Sequence, residues 1–387
     1  MSLNKIKVLM IDSWVGEGNE YALYICKELK KAGVNISLIV PEDNIDKEIF
    51  DFPFLPLCTT KAKNISKLNK MLRYYKYLLN IYKLIRKEKY DVVHFQFFRR
   101  IRVESIYFAM LKLLGVRLAH TVHDVTPLNE NKLDHLFNLL VYKTADVLFV
   151  HSNSNKRTLT QQIKLNEQKI KVVPHGDFDS LIPDKIPTKS QAREFFGLSQ
   201  GDNVILFFGA IKEYKGLDML LNSLYLLVDK IDNLVVIIAG RPDPNKLELE
   251  YKNIISKIPN KIKIIFHTQY IPDQEVVKYF IASDAVILPY RRISHSGVLH
   301  LAYSFGKPVI ATKVGDFEET IEDGKSGFIV SSISPESLSE KTILAFYNKS
   351  KLEEMGKYAR YLSESKYSWK ISAETMRQIY GKMVKDS

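Results

Sequence analysis

The chain is constrained most by an alternation, run through twice, of apolar segments four to six residues long with longer segments of helical period. Apolar runs of strand length are buried on both faces when parallel strands are covered by crossover helices. In the first half this predicts strands at Lys7–Ile11, Asn35–Val40, Val92–His94, Arg117–Val122, Val147–Val150 and Lys171–Val173. The second half predicts Val204–Phe208, Leu234–Ala239, Ile262–Phe266, Ala285–Leu288, Pro308–Ala311 and Phe328–Val330. Between the two sets, Gly176, Pro183, Pro187, Gly197 and Gly201 interrupt the periodicity.

The expectation is an α/β protein of two Rossmann-like, doubly wound domains facing a cleft. Residues 1–180 form the first and 181–365 the second, with a terminal helix over 366–387 packing back on the first. A length of 387 residues exceeds what one core normally supports, and 46% apolar against 26% charged residues is an ordinary globular balance. Ligands of doubly wound sheets bind outside the carboxyl ends of the strands, so the loops after strands should hold the chemistry.

Several classes are set aside. Cys26 and Cys58 are too few and too isolated for a disulfide framework or a zinc site, which points to the reducing cytoplasm. Lys5 and Lys7 lead directly into Val8-Leu9-Met10-Ile11, unlike a secretion signal, and no stretch approaches the roughly 20 apolar residues of a membrane span. The net charge of +12 is uneven: residues 1–180 carry 28 Lys/Arg and 19 Asp/Glu, residues 181–387 carry 28 and 25. Helix-turn-helix, RNP and zinc-finger patterns are all missing, so nucleic acid is not the expected partner.

The chemistry-bearing segments follow strands. Gly16 and Gly18 precede a helix and read equally as a tight turn or a ligand loop. His94 ends one strand, and His120-Thr-Val-His123-Asp124 ends another. A neutral imidazole can donate to a sugar hydroxyl, and an adjacent carboxylate can orient it or act as a base. In the second half, Gly209-Ala-Ile-Lys212-Glu-Tyr-Lys215-Gly216 places two lysines where a diphosphate could be held without a metal. Ser294-His295-Ser296-Gly297-Val298 opens a helix, the geometry of an anion site, with Arg291 and Arg292 nearby. The one Asp-x-Asp run, Asp177-Phe-Asp179, reads as turn chemistry, so no metal and no cofactor is expected.

Read together, these segments resemble the GT-B glycosyltransferases of family four. The pieces that match are the Gly16–Gly18 loop, Thr121-Val-His123-Asp124, Val173-Pro174-His175-Gly176, Lys215-Gly216-Leu217, Ala239-Gly240, and Ser283-Asp284 through Gly324–Val330. The resemblance implies a nucleotide-sugar donor on the C-terminal domain, held by Gly16, Gly18, Lys212, Lys215, Tyr270, Ile271, Ser294, His295, Ser296, Gly297 and Val298. It implies His123 and Asp124 as the catalytic pair and an acceptor on the N-terminal domain, near His94. The reaction would move a hexosyl unit to a glycan or lipid-linked hydroxyl with retention, in cell-surface polysaccharide or glycoconjugate synthesis.

The match has departures. Lys212 stands in for the arginine usual after the first C-domain glycine. The two glutamates that touch sugar and ribose in that family fall, counted back from Gly306, on Ile293 and Leu301. A non-catalytic partner that binds nucleotide sugar is therefore the alternative, and an NAD-linked oxidoreductase rests only on Gly16-x-Gly18 with Glu42. Residues 61–89 carry ten Lys/Arg and one acid, Glu88, interleaved with Leu72, Tyr75, Leu78, Leu79, Tyr82 and Ile85. A helix of this kind sets an apolar stripe beside a basic face, so a peripheral position on an anionic inner membrane surface is a further expectation.

Overall fold

The computed structural model describes residues 6–13, 20–41, 53–57, 66–125, 132–244 and 246–385. The chain forms two compact units, one of Met1–Gly176 with Trp369–Ser387, the other of Asp177–Ser368. In the first unit seven parallel strands are β1 (Lys7–Ile11), β2 (Asn35–Pro41), β3 (Phe54–Leu57), β4 (Val92–Phe95), β5 (Leu118–Thr121), β6 (Val147–Val150) and β7 (Ile170–Val172). Their order is β3-β2-β1-β4-β5-β6-β7. The second unit holds six: β8 (Asn203–Phe208), β9 (Leu234–Ala239), β10 (Lys263–His267), β11 (Ala285–Leu288), β12 (Val309–Thr312) and β13 (Gly327–Val330), ordered β10-β9-β8-β11-β12-β13.

The twelve expected strands form within about a residue at each end. The strand that pattern reading misses is β3, which contains Pro56 and follows Pro53. Proline cannot donate to a ladder, but β3 lies at the sheet edge and pairs only with β2, so the missing donor can face away from the sheet.

Alternate residues of each strand feed opposite cores, as a period of two requires. In the first sheet Leu9, Ile11, Val93, Phe95, Leu118 and Leu148 pack toward the helices Lys67–Glu88 and Ile101–Leu113. Val8, Met10, Ile36, Leu38, Val92 and Phe149 pack on the other face, against helices Glu20–Lys31 and Trp369–Lys385. The C-terminal helix is thus part of the first unit's core through Trp369, Ala373, Met376 and Tyr380. Ser372 Oγ donates to the Pro174 carbonyl at 2.7 Å.

His94 belongs to this core and does not face an acceptor. It is fully buried, stacked on Phe149, with Nδ1 2.5 Å from the Tyr380 hydroxyl and Nε2 2.8 Å from Thr121 Oγ1. Both ring nitrogens are engaged, and burial depresses its pKa well below the ordinary value, so the ring stays neutral. β4 runs one residue further than expected and is buried on both faces, so His94 lies inside the strand, on the face toward Tyr380, rather than beyond its end.

Tyr380→Phe should destabilise the first unit by about 1–3 kcal/mol, since it leaves a buried imidazole nitrogen without its hydroxyl partner. Urea unfolding followed by fluorescence measures this; an unchanged midpoint would mean that the 2.5 Å contact contributes nothing.

Candidate active site

Strand order reverses between β8 and β11 in the second unit, and the loops that leave these strands meet there. One runs from Gly209 to Gly216 and enters helix Leu217–Leu227; the other runs from Pro289 to Ser296 and enters helix Gly297–Ser304. Gly216 locks them together. Its φ is +68°, and a β-carbon there would lie 2.0 Å from the Pro289 carbonyl oxygen, so no other residue fits.

This junction gathers the expected anion-binding groups. Lys215 is 8% exposed, its ammonium 5.5 Å from the Tyr290 ring centre. A β-carbon on Gly209 would stand 3.3 Å from both Lys215 Nζ and Val298 Cγ2. Ammonium, bare glycine backbone and the first turn of helix Gly297–Ser304 therefore converge on one small volume. The first amides of a helix lack intrahelical partners and its dipole favours an anion, so the groups suit a phosphate. Burial, then the Lys212 charge, push Lys215 from 10.5 down to about 8.

Other expected residues divide by task. Lys212 is 40% exposed and 3.5 Å from Asp243, a looser contributor. Arg291 is committed to the fold: it pairs with both Asp218 oxygens and donates to the Glu213 carbonyl at 2.9 Å. Ser294 and Ser296 are buried in the loop and His295 is half-buried. Tyr270 is exposed, with its hydroxyl 3.4 Å from Asp273. Ile271, by contrast, is a core side chain, so only its backbone can meet a ligand. Ile293 packs against the core and Leu301 lies in it, so the places where glutamates were sought are apolar positions of the fold.

Pattern reading treated Asp316 only as part of a loop. It is 3% exposed, and burial pushes its carboxyl up to about 7. Its loop abuts the serine loop: a β-carbon on the preceding Gly315 would lie 2.4 Å from the Ile293 carbonyl oxygen. Asp177 and Asp179 hold the fold, Asp177 Oδ1 accepting from the Asp179 amide at 3.1 Å and Asp179 pairing with Arg360 at 2.5 Å.

In the first unit the carboxyl ends of β4 to β7 bring together Gln96, His123, His151 and His175. His123 is half-buried; Nε2 is 3.0 Å from Gln96 Oε1 and Nδ1 is 3.3 Å from His151 Nε2. Phe97 stacks on its ring at 4.0 Å and Tyr21 meets it edge-on at 4.9 Å. Gln96 and His151 thus orient the ring, a task the sequence had offered to Asp124, whose side chain is exposed. Tyr21 also contacts His151, His175 and Trp369. His151 is a functional candidate that motif reading passed over, although it follows a strand as His123 does, and His175, quoted there only within Val173-Pro174-His175-Gly176, joins it. Gly16 and Gly18 lie outside the described residues.

Residues 188–361 match the family model described as glycosyl transferases group 1, and residues 18–176 match that of glycosyltransferase family 4. A D-inositol 3-phosphate glycosyltransferase of Corynebacterium urealyticum is 23% identical over 290 residues, covering 71% of this chain and 68% of that protein. Among solved structures, a glycosyltransferase from Rickettsia africae superposes with a TM-score of 0.77 at 20% identity, covering 99% and 100% of the two chains. Anabaena HepE in complex with UDP gives 0.75 at 16% identity, with the same coverage.

The histidine cluster predicts an acid-labile first unit. Burial first, and for His151 the neighbouring His175 charge as well, lower these histidines from 6.5 to about 3 for His151 and about 4 for His120 and His175. The unfolded chain binds protons at pH values where the fold does not. Stability is therefore fully present above the ordinary value and falls as pH drops from about 6.5 toward 4, by up to about 1.4 kcal/mol per pH unit per histidine. Urea midpoints measured from pH 7.5 to 4.5 should show this slope, and it should be shallower in His151→Gln; parallel profiles would remove His151 from the explanation.

Proposed function

From the premise that this chain belongs to the group 1, family four glycosyltransferases, we propose that it transfers a hexosyl unit from a nucleoside-diphosphate sugar to a hydroxyl of a glycan or lipid-linked acceptor. The convergence of Lys215, Gly209 and the Gly297–Val298 helix start carries the reading. When the bond from the anomeric carbon to the diphosphate oxygen breaks, negative charge grows on the departing diphosphate. A buried ammonium and helix-terminal amides stabilise that charge more than water would, because they are oriented before the reaction. The Anabaena structure, which holds UDP, supports a nucleoside diphosphate as the anion.

The acceptor oxygen forms the new bond to the anomeric carbon and loses its proton. Asp124 is the candidate base, and His123, kept neutral by burial and by the other histidines, is a donor or acceptor for a sugar hydroxyl. We assign retention of configuration, with the acceptor attacking on the face that the diphosphate leaves. The loop serines and His295 replace the absent glutamates as sugar contacts. The product belongs to cell-surface polysaccharide or glycoconjugate synthesis.

A second reading concerns place. Helix Lys67–Glu88 carries two apolar stripes, not the single one read from sequence. Tyr74, Tyr77, Leu78, Ile81 and Ile85 are buried in the core, whereas Leu68, Met71, Leu72, Tyr75 and Leu79 are exposed. The second stripe borders a groove of about 280 Å³ lined by Tyr75, Leu79, Tyr82, Ile106 and Met110. Basic residues flank it, and no helix among the described residues can cross a membrane. An exposed apolar stripe amid lysines fits an anionic bilayer surface, where each basic residue contributes about 1 kcal/mol.

For the donor, Lys215→Ala should raise the Michaelis constant and slow transfer, by about 1.5–3 kcal/mol in kcat/KM. Lys212→Ala should do less. Because the ammonium is required, donor affinity should weaken as pH rises through about 8, and Lys215→Arg should shift that limb upward. Wild-type kinetics in Lys215→Ala would end the assignment, and activity abolished by EDTA and rescued by magnesium would overturn its metal independence. For the membrane, wild type should co-sediment with phosphatidylglycerol vesicles at low salt and detach at high salt. A variant with Lys70→Glu, Arg73→Glu and Lys76→Glu should not bind; equal, negligible binding by both would sink the surface reading and leave the transfer reading standing.

A further inference from the structure

The second unit has a cavity of about 620 Å³ at the opposite edge of its sheet from Lys215. Its wall includes the amino ends of the central strands, Asn203 of β8, Asp284 before β11 and Lys307-Pro308 before β12. β8 has six residues, so at about 3.3 Å per residue the two edges lie about 20 Å apart.

Six cations line it, Lys189, Arg193, Lys307, Lys349, Lys357 and Arg360, against the acids Asp202, Asp284 and Glu353. Three cations have structural work. Lys189 and Arg193 share Asp284, at 2.6 and 2.9 Å, and Arg193 also donates to the carbonyls of Ala282, Ser199 and Gln200. Arg360 pairs with Asp179 and donates to the Ser304 carbonyl at 2.7 Å.

The other three are not used in this way. Among the described residues no carboxylate lies within ion-pair distance of Lys307, Lys349 or Lys357. Lys307 donates to the Ser283 carbonyl at 2.9 Å and Lys349 to the Gly201 carbonyl at 3.3 Å. Burial first, then the Lys189 and Arg193 charges, push the Lys307 ammonium down to about 8, with Asp284 and Glu353 opposing the shift. These two carbonyl contacts occupy one hydrogen each of Lys307 and Lys349 and leave the excess of cations over acids unbalanced.

We propose that this cavity is a second anion site, distinct from the donor site, for a small phosphate-bearing metabolite held by Lys307, Lys349 and Lys357. Its volume falls in the range of pockets that enclose small ligands of nucleotide or sugar-phosphate size. Phosphate oxygens pair strongly with ammonium groups, and the apolar side chains of Phe346 and Leu352 in the wall suit the non-phosphate part.

The test is calorimetric titration of wild type, Lys215→Ala, Lys307→Gln and Lys357→Glu with inorganic phosphate, a hexose 6-phosphate and a nucleoside monophosphate. Lys357 is exposed and carries no described hydrogen bond, so its charge reversal should leave the fold and donor kinetics intact. Expected is binding of at least one probe by wild type and Lys215→Ala alike, weakened about tenfold or more in Lys357→Glu and Lys307→Gln. The three probes separate phosphate recognition alone from recognition of the attached group. Binding lost only in Lys215→Ala would assign the anion to the donor site and overturn the proposal, as would equal binding by all four proteins or none by wild type.

Discussion

Complete burial of the central strands is the constraint on which the rest depends. Every residue of β4, β5, β6, β9, β11 and β12 is buried, so these strands have no face on which to present a polar group to solvent. Chemistry is confined to the few residues beyond each strand's end. In both sheets the order reverses beside the first strand of the unit, and loops diverge there to leave room for a ligand. Lys215 and Gly209 in one unit, Gln96 and His123 in the other, stand at or next to that reversal.

The same burial tunes what those residues can do. A lysine at the surface would stay charged to pH 10 and bind phosphate weakly through water. Lys215, walled by Tyr290 and the glycine backbone, gives up solvation and with it some of its proton affinity. On the proposed reading that cost would be offset when a diphosphate arrives, so part of the interaction would be reserved for the bound anion. The buried histidines of the first unit are shifted the same way from a lower starting value: burial holds His123, His151 and His175 neutral, which suits hydroxyl recognition and would not suit an anion.

Most of the scaffold was legible from periodicity, because strands buried on both faces leave long apolar runs. What was not legible came from relations between distant residues. β3 escaped because Pro53 and Pro56 argue against a strand unless its edge position is known. His94 and His123 look alike in sequence, yet one fills the core against Tyr380, 286 positions away, and the other lies beyond the strand end. The apolar residues of helix Lys67–Glu88 read as one stripe until the core claimed half of them. Asp316 and the His123–His151 contact have no local signature, since each depends on which loop the fold lays beside it.

Under the proposed transfer, the absence of the two glutamates that the family resemblance led one to seek is a shift of load to other groups. Leu301 lies in the second unit's core and Ile293 packs against it, so both places are taken up by apolar packing. The loop between them compensates in backbone: Ser294 and Ser296 are buried, and the Gly315 turn closes against the Ile293 and Ser294 carbonyls. On the proposed reading this loop would meet the sugar through hydroxyls and amides and supply no carboxylate of its own. Stabilisation must then come mainly from the leaving side, where Lys215 and the helix start are found. If the proposed transfer holds, the apolar residues at the two glutamate places and the buried lysine are two parts of one arrangement, in which the second unit would concentrate charge on the diphosphate and meet the sugar with neutral groups.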